Sequence, residues 1–217
     1  MKGSYDNVAL FYDLLARSVY GKAILDAHRF LADAVPADRS VLVVGGGTGQ
    51  LLEEMSKIHK GGLQITYVDI SKKMIEISKK RNIRNNEVTF INESILHMQF
   101  HQQFDVVITP FVFDNFSDNT TKFLFDKIDA LINGNGLWLF ADFQKGEKNK
   151  VWQKFLLKSM YFFFRLLCGI EAAHLPDTAS LFEKYNYRLI DKRTFYKDFI
   201  YSSIYLKPGT WRQSKNI

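Results

Sequence analysis

The sequence is poor in cysteine, in long apolar runs and in repetition, and each shortage removes a class of protein. A single cysteine, Cys168, in 217 residues excludes an intramolecular disulfide framework and fits a reducing, cytoplasmic compartment. Apolar runs such as Met160–Phe164 reach only five residues, against the roughly 20 needed to span a bilayer. Met1-Lys2-Gly3-Ser4 leads into a charged stretch without a signal-peptide core. His28, His59, His97, His101 and His174 form no metal-ligand pattern; His97 and His101 stand four apart with no partner cluster, so no metal site is expected. No repeat, low-complexity tract or linker interrupts the chain, which predicts one domain with ample core.

Hydrophobic content of 47% and charged content of 24% are those of an ordinary soluble globule. The net charge of +6 is uneven, because residues 143–217 hold 14 Lys and Arg against 6 Asp and Glu. Such a segment suits a solvated basic face, an anionic substrate, a membrane surface or nucleic acid.

What the chain does have is one dense stretch, Val41-Leu42-Val43-Val44-Gly45-Gly46-Gly47-Thr48-Gly49-Gln50. Four aliphatic residues predict a short strand buried on both faces. The glycines predict a tight turn, and Leu51-Leu52-Glu53-Glu54-Met55 opens a helical pattern. A strand, a glycine loop and a helix N-terminus make a site for a nucleotide-like ligand, since the backbone can approach closely and helix-start amides face outward. The next strand, Leu63–Val68, ends in Asp69, 20 residues beyond Gly49. At that spacing an acidic residue reaches ribose hydroxyls, and a carboxylate can accept from both. Asp69 can instead cap the helix that follows at Ser71-Lys72-Lys73-Met74. The glycines follow G-x-G-x-G, with Gln50 or Leu52 where a dinucleotide site has its late glycine, so NAD and FAD fit poorly. No Gly-Lys-Ser/Thr follows, which excludes a P-loop.

These residues resemble the class I S-adenosylmethionine-dependent methyltransferases of small-molecule type. The resemblance covers residues 35–142 and, more loosely, the flanks. It implies an α/β, Rossmann-like, seven-stranded, mostly parallel sheet with helices on both faces, and S-adenosyl-L-methionine as cofactor. It also implies an N-terminal helical lid over 1–35, a cofactor-binding core over 36–142, and a substrate-side segment with closing strands over 143–217. The cofactor residues it implies are Tyr12 on the lid, then Gly45, Gly46, Gly47 and Gly49 in the loop. Asp69, Ile70 and Met74 follow the second strand, Glu93 and Ser94 the third, and Thr109 ends the fourth. Glu93 stands where the family usually has Asp to receive the adenine amino group. One departure is Val43, where the family usually carries Asp or Glu for a contact to the methionine end.

Along the rest of the chain, residues 4–20 have apolar residues at helical spacing and read either as a lid or as plain packing. A second helix, Gly21–Ala34, stops before Pro36. Ser71–Arg81 reads as a helix, Val88–Ile91 as the third strand and Phe104–Thr109 as the fourth. Asp114 follows as the candidate catalytic base, or as a cap of helix Asn119–Leu131. Thr109-Pro110-Phe111 only partly resembles the box of amino-methylating enzymes, which argues against DNA adenine chemistry. Gly134-Asn135-Gly136 turns into the fifth strand, Leu137–Asp142. Five parallel strands with right-handed crossovers bring their ends to one edge, where ligands bind in open α/β sheets. The aromatic-rich helix at 147–170 suits core, pocket wall, dimer contact or membrane surface. Tyr187–Arg193 and Phe199–Leu206 close as an antiparallel pair, and the tail 207–217 is polar.

The expectation is an enzyme, monomer or homodimer, that transfers the cofactor's methyl group to a small apolar or aromatic acceptor. Two alternatives stay open. One is a non-catalytic S-adenosylmethionine-binding or scaffold protein of the same fold; the other is an RNA-modifying methyltransferase using the basic C-terminal third, which the aromatic-rich segment disfavours.

Overall fold

The computed structural model describes residues 19–144, 152 and 174–209. The lid with Tyr12, nearly all of the aromatic-rich segment and most of the C-terminal tail lie outside the described residues. Helix α1 (Ala23–Asp33) leads to β1 (Ser40–Val44), α2 (Gln50–Ile58), β2 (Gly61–Val68), α3 (Lys72–Ser78), β3 (Asn85–Ile91) and β4 (Phe104–Pro110). A 3₁₀ turn (Phe113–Asn115), α4 (Asp118–Leu131), β5 (Ile132–Phe143), α5 (Thr178–Lys184), β6 (Arg188–Phe195) and β7 (Ile200–Leu206) follow.

The seven strands form one sheet in the order β3-β2-β1-β4-β5-β7-β6. Strands β1 to β5 pair in parallel, while β7 runs antiparallel to both β5 and β6. The chain works outward from β1 to β3 and then returns to place β4 on the other side of β1. That reversal opens a crevice above the C-terminal ends of β1 and β4, the usual ligand position in such sheets.

Helices on both faces explain why β1 reads as an unbroken apolar run. Val41 and Val43 pack with Leu51, Leu52, Met55 and Tyr67 on one face. Leu42 and Val44 face the other, with Phe113, Phe125, Trp138 and Phe182. The second core is an aromatic stack in which Phe125 and Trp138 lie 4.6 Å apart and Phe182 stacks on Tyr205 at 3.7 Å.

Several expected boundaries move. The helix expected over Ser71–Arg81 ends at Ser78, while β3 begins three residues before Val88, at Asn85. The turn expected at Gly134–Gly136 lies inside β5: Ile132 pairs with Phe104 and Leu137 with Val106, so the intervening residues bulge from the ladder. Helix α5, absent from the sequence reading, is capped by the Asp177 carboxylate, which accepts from the Ser180 N–H at 3.2 Å. Among the described residues, no helix is long and apolar enough to cross a membrane.

Candidate functional site

The glycine loop joins β1 to α2 through three left-handed glycines, Gly45, Gly47 and Gly49, at φ +66°, +61° and +82°. Residues with a Cβ adopt that geometry only under strain. Gly46 is required for a different reason. A Cβ there would stand 2.2 Å from Cζ of Tyr67, whose ring is fully buried against the loop. Among the described residues no atom beyond its chain neighbours lies within 4 Å of a Cβ position at Gly47, so its bare backbone borders open space.

Three side chains brace this loop. The Tyr67 hydroxyl donates to the Gly47 carbonyl at 3.1 Å. Arg81 donates from Nε to the Thr48 carbonyl at 2.9 Å and from Nη1 to Glu53 at 3.0 Å. Asp69 accepts the Gly47 N–H on Oδ2 at 2.9 Å and the Ser71 N–H on Oδ1 at 2.8 Å. Asp69 is not the helix cap: Ser71 is, its hydroxyl accepting from the Met74 N–H at 3.1 Å.

Beside Asp69, Asn92 donates to the Asp69 and Ile70 carbonyls at 3.0 and 2.9 Å, tying the end of β3 to that of β2. Ile70 and Ser94 are half-buried at this edge, Met74 is buried at the start of α3, and Glu93 is exposed. Thr109 is placed differently from its neighbours. It is fully buried, and its hydroxyl accepts from the Trp138 indole N–H at 2.9 Å, so its side chain belongs to the aromatic core.

Beyond β4 the chain brings two carboxylates together. Asp114, in the 3₁₀ turn, is buried, and its backbone N–H donates to Oδ2 of buried Asp142 at 3.2 Å. Asp142 also accepts the Phe143 N–H at 2.8 Å, while Asn115 donates to Asp114 at 2.8 Å. Burial pushes the Asp114 carboxyl up to about 7. Asp142 is raised too, by burial first and then by the charge of Asp114. The capping alternative for Asp114 fails, because Ser117 caps α4 by accepting from the Thr120 N–H. Together the pair can take up or release one proton near neutral pH, as a general base requires.

Asp142 as a partner for Asp114, the Tyr67 and Arg81 braces, and His28 of α1 are absent from the sequence reading. His28 is buried edge-on to Phe111, at 5.9 Å between ring centroids. Asp142 carried a signal, since like Asp69 it ends an apolar strand with a carboxylate. Among the described residues no group of three or more His, Cys, Asp or Glu is arranged to hold a metal ion.

Residues 41–136 match the family model described as a methyltransferase domain. The chain is 28% identical over 153 residues to the ubiquinone/menaquinone biosynthesis C-methyltransferase UbiE of Wigglesworthia glossinidia brevipalpis. That match covers 65% of this chain and 58% of the relative, so the chain spans well under two thirds of the relative's length. Among solved structures, the N-methyltransferase NodS from Bradyrhizobium japonicum WM9, in complex with S-adenosyl-L-homocysteine, superposes with TM-score 0.64 at 14% identity, covering 85% of each chain. The magnesium protoporphyrin IX methyltransferase ChlM from Synechocystis PCC 6803, with bound S-adenosylmethionine, gives TM-score 0.59 at 15% identity over 85% of this chain and 77% of its own. At such identities the structural likeness shows the fold.

Proposed function

We propose that this chain, which belongs to the class I S-adenosylmethionine-dependent methyltransferase family, binds S-adenosylmethionine at the C-terminal edge of its sheet and methylates a small molecule. The observation that carries the reading is a convergence. A braced glycine loop, a carboxylate just past β2 and a buried carboxylate pair, one beyond β4 and one near the end of β5, lie at the edge where the strand order reverses.

The residues fit the cofactor. The open space beside left-handed Gly47 lets a ligand lie against bare backbone. Asp69 would accept from the ribose hydroxyls, Ile70 and Met74 would flank the adenine, and Glu93 or Ser94 would receive its amino group. When bound, the cofactor supplies a methyl on a sulfonium, already activated for displacement by an in-line nucleophile. The protein's work is then to align the acceptor and exclude water. Asp114 would take the acceptor's proton where a hydroxyl or ammonium must lose one, and Asp142 holds the turn that presents it.

Thermal unfolding with S-adenosylmethionine, S-adenosylhomocysteine and NAD in parallel tests the cofactor class. A ligand at about 100 times its dissociation constant adds roughly 2.7 kcal/mol of stability. A shift with the first two alone supports the reading, and a shift with NAD alone overturns it. Val43, fully buried between Tyr67 and Ile108, favours a second reading, a binding protein that does not turn over. Methyl transfer to any acceptor dismisses that reading.

A further inference from the structure

We propose that His28 completes the cofactor cradle by contacting the charged amino-acid end of S-adenosylmethionine or S-adenosylhomocysteine. The inference rests on the cofactor reading above. Buried polar atoms are nearly always paired, so an unpaired one calls for a reason. Nδ1 of His28 is buried with no hydrogen-bond partner among the described residues. The other three such atoms are Nε2 of His59, Oγ1 of Thr121 and Oγ of Ser203. His59 follows the far end of α2, Thr121 lies in α4 on the opposite face, and Ser203 lies within β7. Of the four, His28 has its ring against Phe111, the residue next to Val112, which packs on Gly45 of the glycine loop.

Its surroundings fix that position. Neighbouring Arg29 reaches Glu54, which lies one turn beyond the glycine loop, at 3.1 Å, so this part of α1 flanks the start of α2. The His28 ring meets Phe111, the first residue beyond β4, whose N–H donates to the Ala141 carbonyl at 2.8 Å. The following residue, Val112, packs on Gly45, where a Cβ would stand 2.6 Å from its Cγ2. On the same face below the loop, Val43 sits between Tyr67 of β2 and Ile108 of β4. The Tyr67 hydroxyl gives its proton to the Gly47 carbonyl. Position 43 itself offers no polar group, while the imidazole against Phe111 has one to offer.

The chemistry matches. Burial holds the imidazole down to about 4 against the opposing pull of Glu54, so the ring is neutral at pH 7. A neutral imidazole can donate at Nδ1 to a carboxylate or accept there from an ammonium. An α-amino acid end carries both groups. The nucleoside end carries neither, which separates the two halves of the ligand by experiment.

Calorimetric titration with S-adenosylhomocysteine and with 5′-methylthioadenosine, which lacks the amino-acid end, makes the test. His28→Leu should weaken S-adenosylhomocysteine about tenfold or more while methylthioadenosine stays within twofold. His28→Asn, which keeps a polar atom near Nδ1, should recover most of the affinity and carries the comparison if the Leu variant folds poorly. Without ligand, His28→Leu should melt no lower than the wild type, since an unmet polar atom is exchanged for an apolar side chain. Unchanged S-adenosylhomocysteine affinity, or equal loss for both ligands, overturns the placement. A wild type that binds neither ligand overturns the cofactor reading itself, and the placement with it.

Discussion

Replacing Asp114 by Asn should make the protein more stable at alkaline pH and leave it nearly unchanged in acid. The ordinary value of this carboxyl is 3.8, and burial raises it to about 7 in the folded protein. Between those values the unfolded chain has released its proton while the native state still holds one, so stability falls as pH rises through the window. At 1.36 kcal/mol per unit, the loss reaches on the order of 4 kcal/mol once pH exceeds 7. Asn cannot ionise, yet its carbonyl can still accept from Asn115, so the variant escapes the loss. His28 titrates with the opposite sign. Burial lowers it from 6.5 to about 4, so the stability it contributes is lost as pH falls through that range. His28 is present in both proteins, and their difference reads Asp114 together with its charge coupling to Asp142. Urea unfolding followed by circular dichroism from pH 4.5 to 8, with the slope against urea unchanged, reads that difference directly. The variant should lead by about 1 kcal/mol near pH 4.5 and by about 4 kcal/mol at pH 8. A difference that is flat across the range would refute the burial argument.

Three further substitutions separate the loop, the ribose site and the core. Gly46→Ala drives a methyl group into the fully buried Tyr67 ring, which is pinned by its bond to Gly47; about 1–3 kcal/mol of stability should be lost in chemical unfolding, together with S-adenosylhomocysteine binding. Asp69→Ala removes the acceptor of two backbone N–H groups, so calorimetry should show severe loss of cofactor affinity, and melting should show a loosened loop as well. A folded Asp69→Ala protein of unchanged affinity rules out the ribose role. Thr109→Val strands the buried Trp138 N–H and should cost about 1–3 kcal/mol of stability, with cofactor affinity unchanged in the same titration. A large affinity loss would show that Thr109 serves the ligand rather than the core.

Whatever is local in the chain could be read from it. The strand Val41–Val44, the glycine spacing and Asp69 sit within 29 consecutive residues, and each has a short-range signature. Parallel strands buried on both faces announce themselves as apolar runs, so five of the seven were placed along with the closing antiparallel pair. Boundaries shifted where local signals conflict with pairing: Gly134-Asn135-Gly136 looks like a turn, but β4 holds both flanks of it in the ladder. What sequence could not show is which side chains meet across the sheet. Asp114 and Asp142 are 28 residues apart, and Arg81 reaches Thr48 across 33. Thr109 illustrates the same limit from the other side. A residue at a strand tip can face the ligand or the core, and only the Trp138 indole decides between them.

The strongest argument for function at this edge comes from comparing two aspartates at opposite ends of one strand. Asp105, near the start of β4, is partly buried, and burial alone would raise it. The Ser40 N–H and hydroxyl and the Asn133 amide all donate to it, at 2.9–3.1 Å, and hold it below the usual carboxylate value. That is how this fold satisfies a carboxylate when structure is all it serves. Asp114, beyond the other end of β4, is more deeply buried and accepts from Asn115, yet it faces a second carboxylate and is raised instead. A few residues away, His28 keeps a buried nitrogen unmet, and Phe111 between them holds a left-handed backbone at φ +55°. Each of these lowers stability, and apolar residues or glycine would relieve them. They stand together at the edge where the strand order reverses. Perturbed groups gathered where ligands bind are the mark of a site kept for chemistry. It follows that Asp114→Asn and His28→Leu should each trade function for stability, and a variant that lost both would argue against this assignment.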